Sequence, residues 1–148
     1  MNRFRFRLAS ILRLREVHED KKKREFGAAL GKLNLENNEL NQLKGSLQDH
    51  EIGMEKRSRG TVSVHQLRNN FNYARALDMK IGEQKKHVKA AADVVESRRV
   101  ELAESSKKKK ILEHLKDRDR EEHNHAVEKE EQVVIDELTT QRYKNHRD

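Results

Sequence analysis

The sequence predicts an all-α fold, a long antiparallel two-helix coiled-coil hairpin whose second helix is longer than the first. Of its 148 residues, 40% are charged, 33% are hydrophobic and none is proline. That supply of apolar side chains suffices for one narrow seam but not for the broad apolar faces of a globular core. Disordered chains share the low hydropathy, but they are usually rich in Pro, Gly and Ser, whereas helix-forming residues dominate here.

The first helix is predicted over about residues 5–55. Apolar residues recur there at seven-residue intervals, with a second set at the neighbouring heptad position. The first set is Leu12, Phe26, Leu33, Leu40 and Leu47, and the second is Leu8, Ala29 and Leu43. The polar residues Arg15, Glu19 and Lys22 interrupt these rows. A heptad repeat with charged flanks is typical of a coiled coil.

The bend is predicted over about residues 56–62 and the second helix over about 63–143, within a single domain of residues 1–148. Ser63 and Gln66 form a capping-box pattern just before the apolar repeat begins. Six apolar residues follow at strict seven-residue intervals: Leu67, Ala74, Ile81, Val88, Val95 and Leu102.

The two predicted arms differ in length and in charge. Residues 1–24 contain nine Lys/Arg and three acids, and residues 116–137 contain nine acids and four bases, so the two segments should attract each other. If the hairpin closes near Arg57, Leu8 lies opposite Ile111 and residues beyond about Leu115 have no partner within the chain. An apolar stripe continues there: Ala126, Val127, Val133, Val134, Ile135 and Leu138. An unpartnered stripe predicts docking to another protein.

The residue types of an enzyme site are not arranged for chemistry in this sequence. There is no cysteine and no Gly-rich phosphate loop, so we predict no enzymatic activity and no cofactor. His114, His123 and His125 are better explained as solvated surface residues than as metal ligands. No apolar run is long enough to span a membrane, and the N-terminus lacks the apolar core of a signal peptide, which favours a cytoplasmic protein.

Residues at the start, after the bend and near the end of the chain carry a family resemblance. The opening reads F-x-F-x-L-x-x-I-L-x-x-R-E from Phe4 to Glu16. Further matching positions follow the bend and return near the end: Val62, Ser63, Val64, Leu67, Tyr73, Leu77, Ile81, Gln84, Lys110, Leu112, Glu113, Leu115, Asp136 and Glu137. This pattern resembles the bacterial flagellar export stalk family, FliJ, over the whole chain.

The resemblance implies a non-enzymatic stalk and general chaperone of the flagellar type III export apparatus. The family is similar in shape to the two-helix stalk of rotary ATP synthases. Its expected partners are the export ATPase hexamer, which it enters, the membrane export gate, and the chaperones of late export substrates. The implied location is the cytoplasm, at the inner face of the cell membrane beneath the flagellum.

Two sets of binding residues follow from the resemblance and the heptad pattern. For the ATPase ring we expect the paired termini and the stripe: Leu8, Leu12, Leu115, Val134 and Leu138. For the export gate we expect the early part of the second helix: Tyr73, Leu77, Lys80 and Gln84. With Ala74 and Ile81 on the seam, Tyr73 and Leu77 are predicted to face outward or flank it.

Three alternatives remain open from the sequence. The chain could be the equivalent stalk of a virulence injectisome, or it could self-associate through its seam into four strands. A nucleic-acid-associated coiled coil is the third, suggested by the basic runs 21–24 and 107–110. Acids interleave with the first run and no aromatic platform accompanies the lysines, so nucleic acid is not an expected partner.

Overall fold

The computed structural model describes residues 3–144, and all regular secondary structure within that range is helical. Helix α1 spans Ala9–Arg57 and helix α2 spans Val64–Lys144, with 49 and 81 residues. The helices pack against each other as an antiparallel hairpin, and the second is the longer. The predicted fold class is therefore confirmed.

The bend between the helices is closed by local hydrogen bonds. The Ser58 amide donates to the Met54 carbonyl at 2.9 Å, and the Gly60 amide donates to the Arg57 carbonyl at 3.2 Å, which ends α1. At the start of α2, the Gln66 amide donates to Ser63 Oγ at 3.2 Å and the Ser63 amide donates to Gln66 Oε1 at 3.5 Å. This reciprocal pair is the capping box that the sequence predicts.

Residues 21–103 form one compact unit in which the two helices bury a narrow seam. Leu40 and Ala29 of α1 are buried, as is Ile81 of α2. Most other members of the predicted rows in this unit are half-buried: Phe26, Leu33, Leu43, Leu47, Ala74, Val88, Val95 and Leu102. Leu67 is the exception, because 43% of it remains exposed near the bend.

A second heptad row on α2, which the apolar pattern did not reveal, completes the seam. Its members are spaced seven residues apart: Asn70, Leu77, Gln84, Ala91, Arg98 and Ser105. Leu77 is only 6% exposed and Gln84 only 5%. The expectation that Leu77 faces outward or flanks the seam is wrong, because a coiled coil needs two inward rows and Leu77 belongs to the second.

Residues 3–20 and 104–144 belong to the other compact unit. Residues 3–6 are not helical, and Phe6 and Leu12 are 7% and 6% exposed. The Phe4 ring lies 5.6 Å from the His123 ring, centroid to centroid. The expectation that residues beyond about Leu115 lack a partner is therefore wrong. The physical reason is that non-helical backbone can advance by up to about 3.3 Å per residue against about 1.5 Å in a helix, so the N-terminal segment reaches further along α2 than a helix would.

The end of α2 leaves the seam after Val127. Val127 is half-buried, whereas every residue from 128 to 144 is exposed. Val133, Val134, Ile135 and Leu138 are each 53–56% exposed. We refer to these four residues as the terminal stripe. The apolar surface that the sequence predicts without a partner therefore begins later than expected.

Candidate partner-binding surfaces

Within the described residues, the hairpin contains no arrangement suited to metal binding. No group of three or more His, Cys, Asp or Glu side chains there could hold an ion. His123 packs on Phe4, and His125 Nδ1 lies 3.5 Å from Glu128 Oε2 on an exposed turn. Neither α1 nor α2 contains a stretch that is long and apolar enough to cross a membrane.

A ring of two cations and two anions joins α1 to α2 in the unit of residues 21–103. Lys22 Nζ donates to Glu25 Oε2 at 3.1 Å and to Glu101 Oε2 at 3.0 Å. Arg98 Nη1 donates to the same two oxygens, at 3.4 Å and 3.0 Å. The hydrogen bond from Lys22 is the main cause that lowers the pKa of both carboxyls, and the bond to Glu101 is the main cause that raises the pKa of Lys22. The ring therefore cross-links α1 to α2.

Gln84 makes a second polar link between the helices. Its Nε2 donates to the Glu36 carbonyl oxygen at 3.0 Å and to Glu36 Oε2 at 2.6 Å. Because Gln84 is buried, these bonds replace the water that its amide loses. Gln84 therefore holds the seam together.

The remaining unit contains a third link, between Glu19 and Lys109. Lys109 Nζ donates to Glu19 Oε1 at 3.3 Å, and Glu19 is only 4% exposed. This hydrogen bond is the main cause that raises the pKa of Lys109. Ser105 is also 4% exposed, and its Oγ has no hydrogen-bond partner among the described residues. The polar residues that interrupt the predicted seam at Glu19 and Lys22 are thus its interhelical contacts.

The four residues predicted to bind the export gate fall into two classes. Tyr73 is 51% exposed and Lys80 is exposed, so both are accessible to a partner. The Tyr73 ring packs edge-on against the His50 ring at a centroid distance of 4.7 Å, and His50 Nε2 lies 3.1 Å from the Asn70 carbonyl oxygen. Leu77 and Gln84 are buried in the seam. The structure therefore brings Tyr73 and Lys80 to one edge of α2, with Leu77 and Gln84 beneath them.

The five residues predicted to bind the ATPase ring divide in the same way. Leu12 is buried, and Leu8 and Leu115 are half-buried within their unit. Val134 and Leu138 are exposed and belong to the terminal stripe. Leu8, Leu12 and Leu115 therefore contribute to the packing of their unit, and of these five residues Val134 and Leu138 are the two that expose apolar surface for contact.

Sequence reasoning missed a further exposed apolar face at the start of α2. Val64, Leu67 and Phe71 are 79%, 43% and 62% exposed. Arg68 and Arg75 alternate with them and are also exposed. Val64 and Phe71 are out of register with the predicted heptad rows, so those rows do not include them. Their i, i+3, i+7 spacing with Leu67 was the signal, since it places all three on one side of a helix.

The family described as Flagellar FliJ protein matches residues 4–148. No curated protein and no solved structure gives a significant match to the chain. The family match covers both helices, the bend and the terminal stripe.

Proposed function

Because the chain belongs to the flagellar FliJ protein family, we propose that it is a non-enzymatic stalk and general chaperone of flagellar type III protein export. Membership makes it an export-related component of the flagellum. The proposal adds three partners to that statement. They are the hexameric export ATPase, the cytoplasmic part of the membrane export gate, and the chaperones that deliver late substrates. Such a protein works in the cytoplasm at the inner face of the membrane.

The observation that carries the ATPase contact is the terminal stripe. Val134 and Leu138 lie four residues apart, which places them on the same side of α2. Acidic residues border them, including Glu130, Glu131 and Glu137. An exposed apolar patch with a charged rim is the usual composition of a protein-binding surface. In this proposal the stripe contacts the inside of the ATPase ring.

The test is stimulation of the cognate export ATPase by the purified chain. We expect the wild-type chain to raise ATP hydrolysis by promoting ring assembly, and Val134→Ser/Leu138→Ser to lose most of this effect. The matched control is Val94→Ser/Val100→Ser, which removes two residues of α2 that are 48% and 50% exposed. Absence of stimulation by the wild-type chain, or an equal loss with the control, would count against the proposal.

The gate contact is assigned to the edge of α2 that carries Tyr73 and Lys80. Leu77 and Gln84 support this edge from below, so their substitution would act through the fold of the hairpin. The matched control is Met79, which is 67% exposed and lies roughly 100° around the helix from Lys80. We expect Tyr73→Ala to weaken capture of the gate's cytoplasmic domain and Met79→Ala to leave it unchanged. Equal capture by both variants would remove Tyr73 from the interface.

A further inference from the structure

The bend of the hairpin is the most one-sided charged segment of the unit formed by residues 21–103. Residues 56–77 contain five bases and no aspartate or glutamate. The bases are Lys56, Arg57, Arg59, Arg68 and Arg75, and all are exposed. Glu55 and Asp78 lie just outside this segment, and Arg59 Nη2 lies 3.9 Å from Glu55 Oε1. The bend therefore presents a strongly positive surface.

The same segment also exposes apolar side chains. Val64, Leu67 and Phe71 share one side of α2 with Arg68 and Arg75, and we refer to these five residues as the bend face. At about 100° per residue, Phe71 is separated from Ile81 on the seam by roughly 80° and from Tyr73 by roughly 160°. Phe71 therefore lies away from the seam and from the edge proposed to bind the gate, and Leu67, the 43% exposed first member of the predicted α2 row, joins the bend face to the margin of the seam.

We propose that the bend face binds an anionic lipid surface. Phosphate headgroups would contact Arg68 and Arg75 together with the bases that end α1, while Val64, Leu67 and Phe71 enter the boundary between headgroups and acyl chains. A helix face that combines exposed apolar residues with Arg is the composition of interfacial membrane-binding helices. Such binding needs no membrane-spanning segment. The proposal does not depend on the stalk function, because it uses residues that the ATPase and gate contacts do not.

The composition of the bend face favours lipid over the other anionic partners. Nucleic acid would use the arginines but would leave the aliphatic Val64 and Leu67 in water, and Phe71 is a single aromatic rather than a stacking platform. A second copy of the chain could offer its own acidic terminal stripe. That stripe, however, holds apolar residues on several sides of the helix, whereas Val64, Leu67 and Phe71 share one side of α2 with Arg68 and Arg75.

Vesicle flotation tests the charge requirement. We expect the chain to float with phosphatidylglycerol/phosphatidylcholine vesicles, not with pure phosphatidylcholine, and to dissociate as salt is raised. Arg68→Glu/Arg75→Glu should reduce the bound fraction at least tenfold. The matched control, Lys107→Glu/Lys108→Glu, changes the net charge equally at two exposed residues and should reduce binding far less. Equal loss in both variants would show that binding follows net charge alone and would overturn the proposal.

Insertion of the apolar residues has its own readout. The chain contains no tryptophan, so Phe71→Trp places a single tryptophan on the bend face. Its emission should shift to shorter wavelength with anionic vesicles and be quenched by brominated acyl chains. An unchanged emission would overturn insertion. Two further measurements cover the alternatives: sedimentation without lipid for self-association, and a gel shift for DNA binding. The lipid assignment would be overturned if the chain failed to bind vesicles but showed either interaction, and if Arg68→Glu/Arg75→Glu abolished that interaction.

Discussion

Polar side chains occupy several of the least exposed positions of the hairpin. Glu19, Gln84 and Ser105 are 4%, 5% and 4% exposed, comparable with Ile81 at 5%. Glu19 and Gln84 each bond to a residue of the other helix, so sliding one helix along the other would leave a buried polar group unpaired. Polar groups of this kind can fix the register of a coiled coil at a cost in stability. We infer that they select one pairing of α1 with α2.

Gln84 provides a direct test of this role. Gln84→Glu would place a carboxylate beside Glu36 Oε2, which now accepts a hydrogen bond from Gln84 at 2.6 Å. Two facing carboxylates repel, so we expect unfolding in urea, followed by circular dichroism, to show a loss of about 3 kcal/mol. The double variant Glu36→Gln/Gln84→Glu exchanges the two groups and should recover most of the loss. Failure of the exchange to recover stability would show that the contact does not set the register.

The ring of Lys22, Glu25, Arg98 and Glu101 makes stability depend on acid pH. Hydrogen bonds hold the pKa of Glu25 and of Glu101 below the ordinary value of 4.5. At a pH between the folded-state pKa and the unfolded-state pKa of these carboxyls, the folded state therefore binds fewer protons than the unfolded state. The stabilisation is complete above pH 4.5, the ordinary value, and is lost as the pH falls through the folded-state pKa. The effect is small, because the ring is partly exposed.

We expect the melting temperature to be steady from neutral pH to about pH 5 and to fall below it. Glu25→Gln/Glu101→Gln should show a shallower fall. A residual slope remains in both proteins, since Arg99 also lowers the pKa of Glu96. If the double variant fell as steeply as the wild type, the ring would not be the source of the acid dependence.

At the scale of elements, the capping residues and the apolar row of α2 were predictable from the sequence. Ser63 and Gln66 predicted the start of α2, because their side chains accept hydrogen bonds from backbone amides that have no helical carbonyl as partner. The start of α1 was not predicted: the helix begins at Ala9. The spacing of Phe4 and Phe6 could have indicated that this segment is not helical. Side chains two residues apart face the same side in an extended backbone but opposite sides of a helix, and both rings pack within their unit.

The candidate surfaces were harder to predict than the helices. The outward assignment of Leu77 failed because its heptad row contains Gln84, Arg98 and Ser105, so an apolar count does not detect it. A search for rows of any composition at seven-residue spacing would have included Leu77. The bend face was missed for the opposite reason: Val64 and Phe71 are apolar but lie outside both heptad rows of α2, and only Leu67 belongs to one of them.

The narrow seam predicts that one buried charge destabilises both helices. Leu40 is 8% exposed and Leu35, on the same helix, is 70% exposed. Leu40→Asp places an unpaired charge in the seam and should cost about 3–5 kcal/mol, with a large loss of helicity. Leu35→Asp adds the same charge in solvent and should change stability by about 0.5 kcal/mol or less. Retained helicity in Leu40→Asp would mean that Leu40 does not belong to the seam.

At the scale of the whole molecule, burial and function use different parts of the chain. Among residues 3–144, the buried side chains lie between Phe6 and Ser105, and the half-buried positions end at Val127. The next seventeen described residues of α2 are all exposed, yet they include four apolar side chains of the terminal stripe. An isolated helical extension of this length is marginal in water without packing. The stripe is therefore better explained by a partner than by a contribution to the hairpin.

Truncation separates these two roles. A chain that ends at Glu128 keeps Phe4, His123 and Val127 but removes the terminal stripe. Because the removed residues bury nothing in the hairpin, we expect its melting temperature to change by no more than about 2 °C, well below the 4–8 °C that about 1 kcal/mol would produce in a small domain. Capture of the gate's cytoplasmic domain and binding to anionic vesicles should persist, and stimulation of the export ATPase should be lost.

A chain that ends at Leu115 is the contrasting variant, because it also removes His123 and should melt at a lower temperature. If the Glu128 truncation destabilised the hairpin as much as the Leu115 truncation, the stripe would be packed within the chain. If it destabilised nothing and the ATPase were still stimulated, the ring contact would belong to other residues.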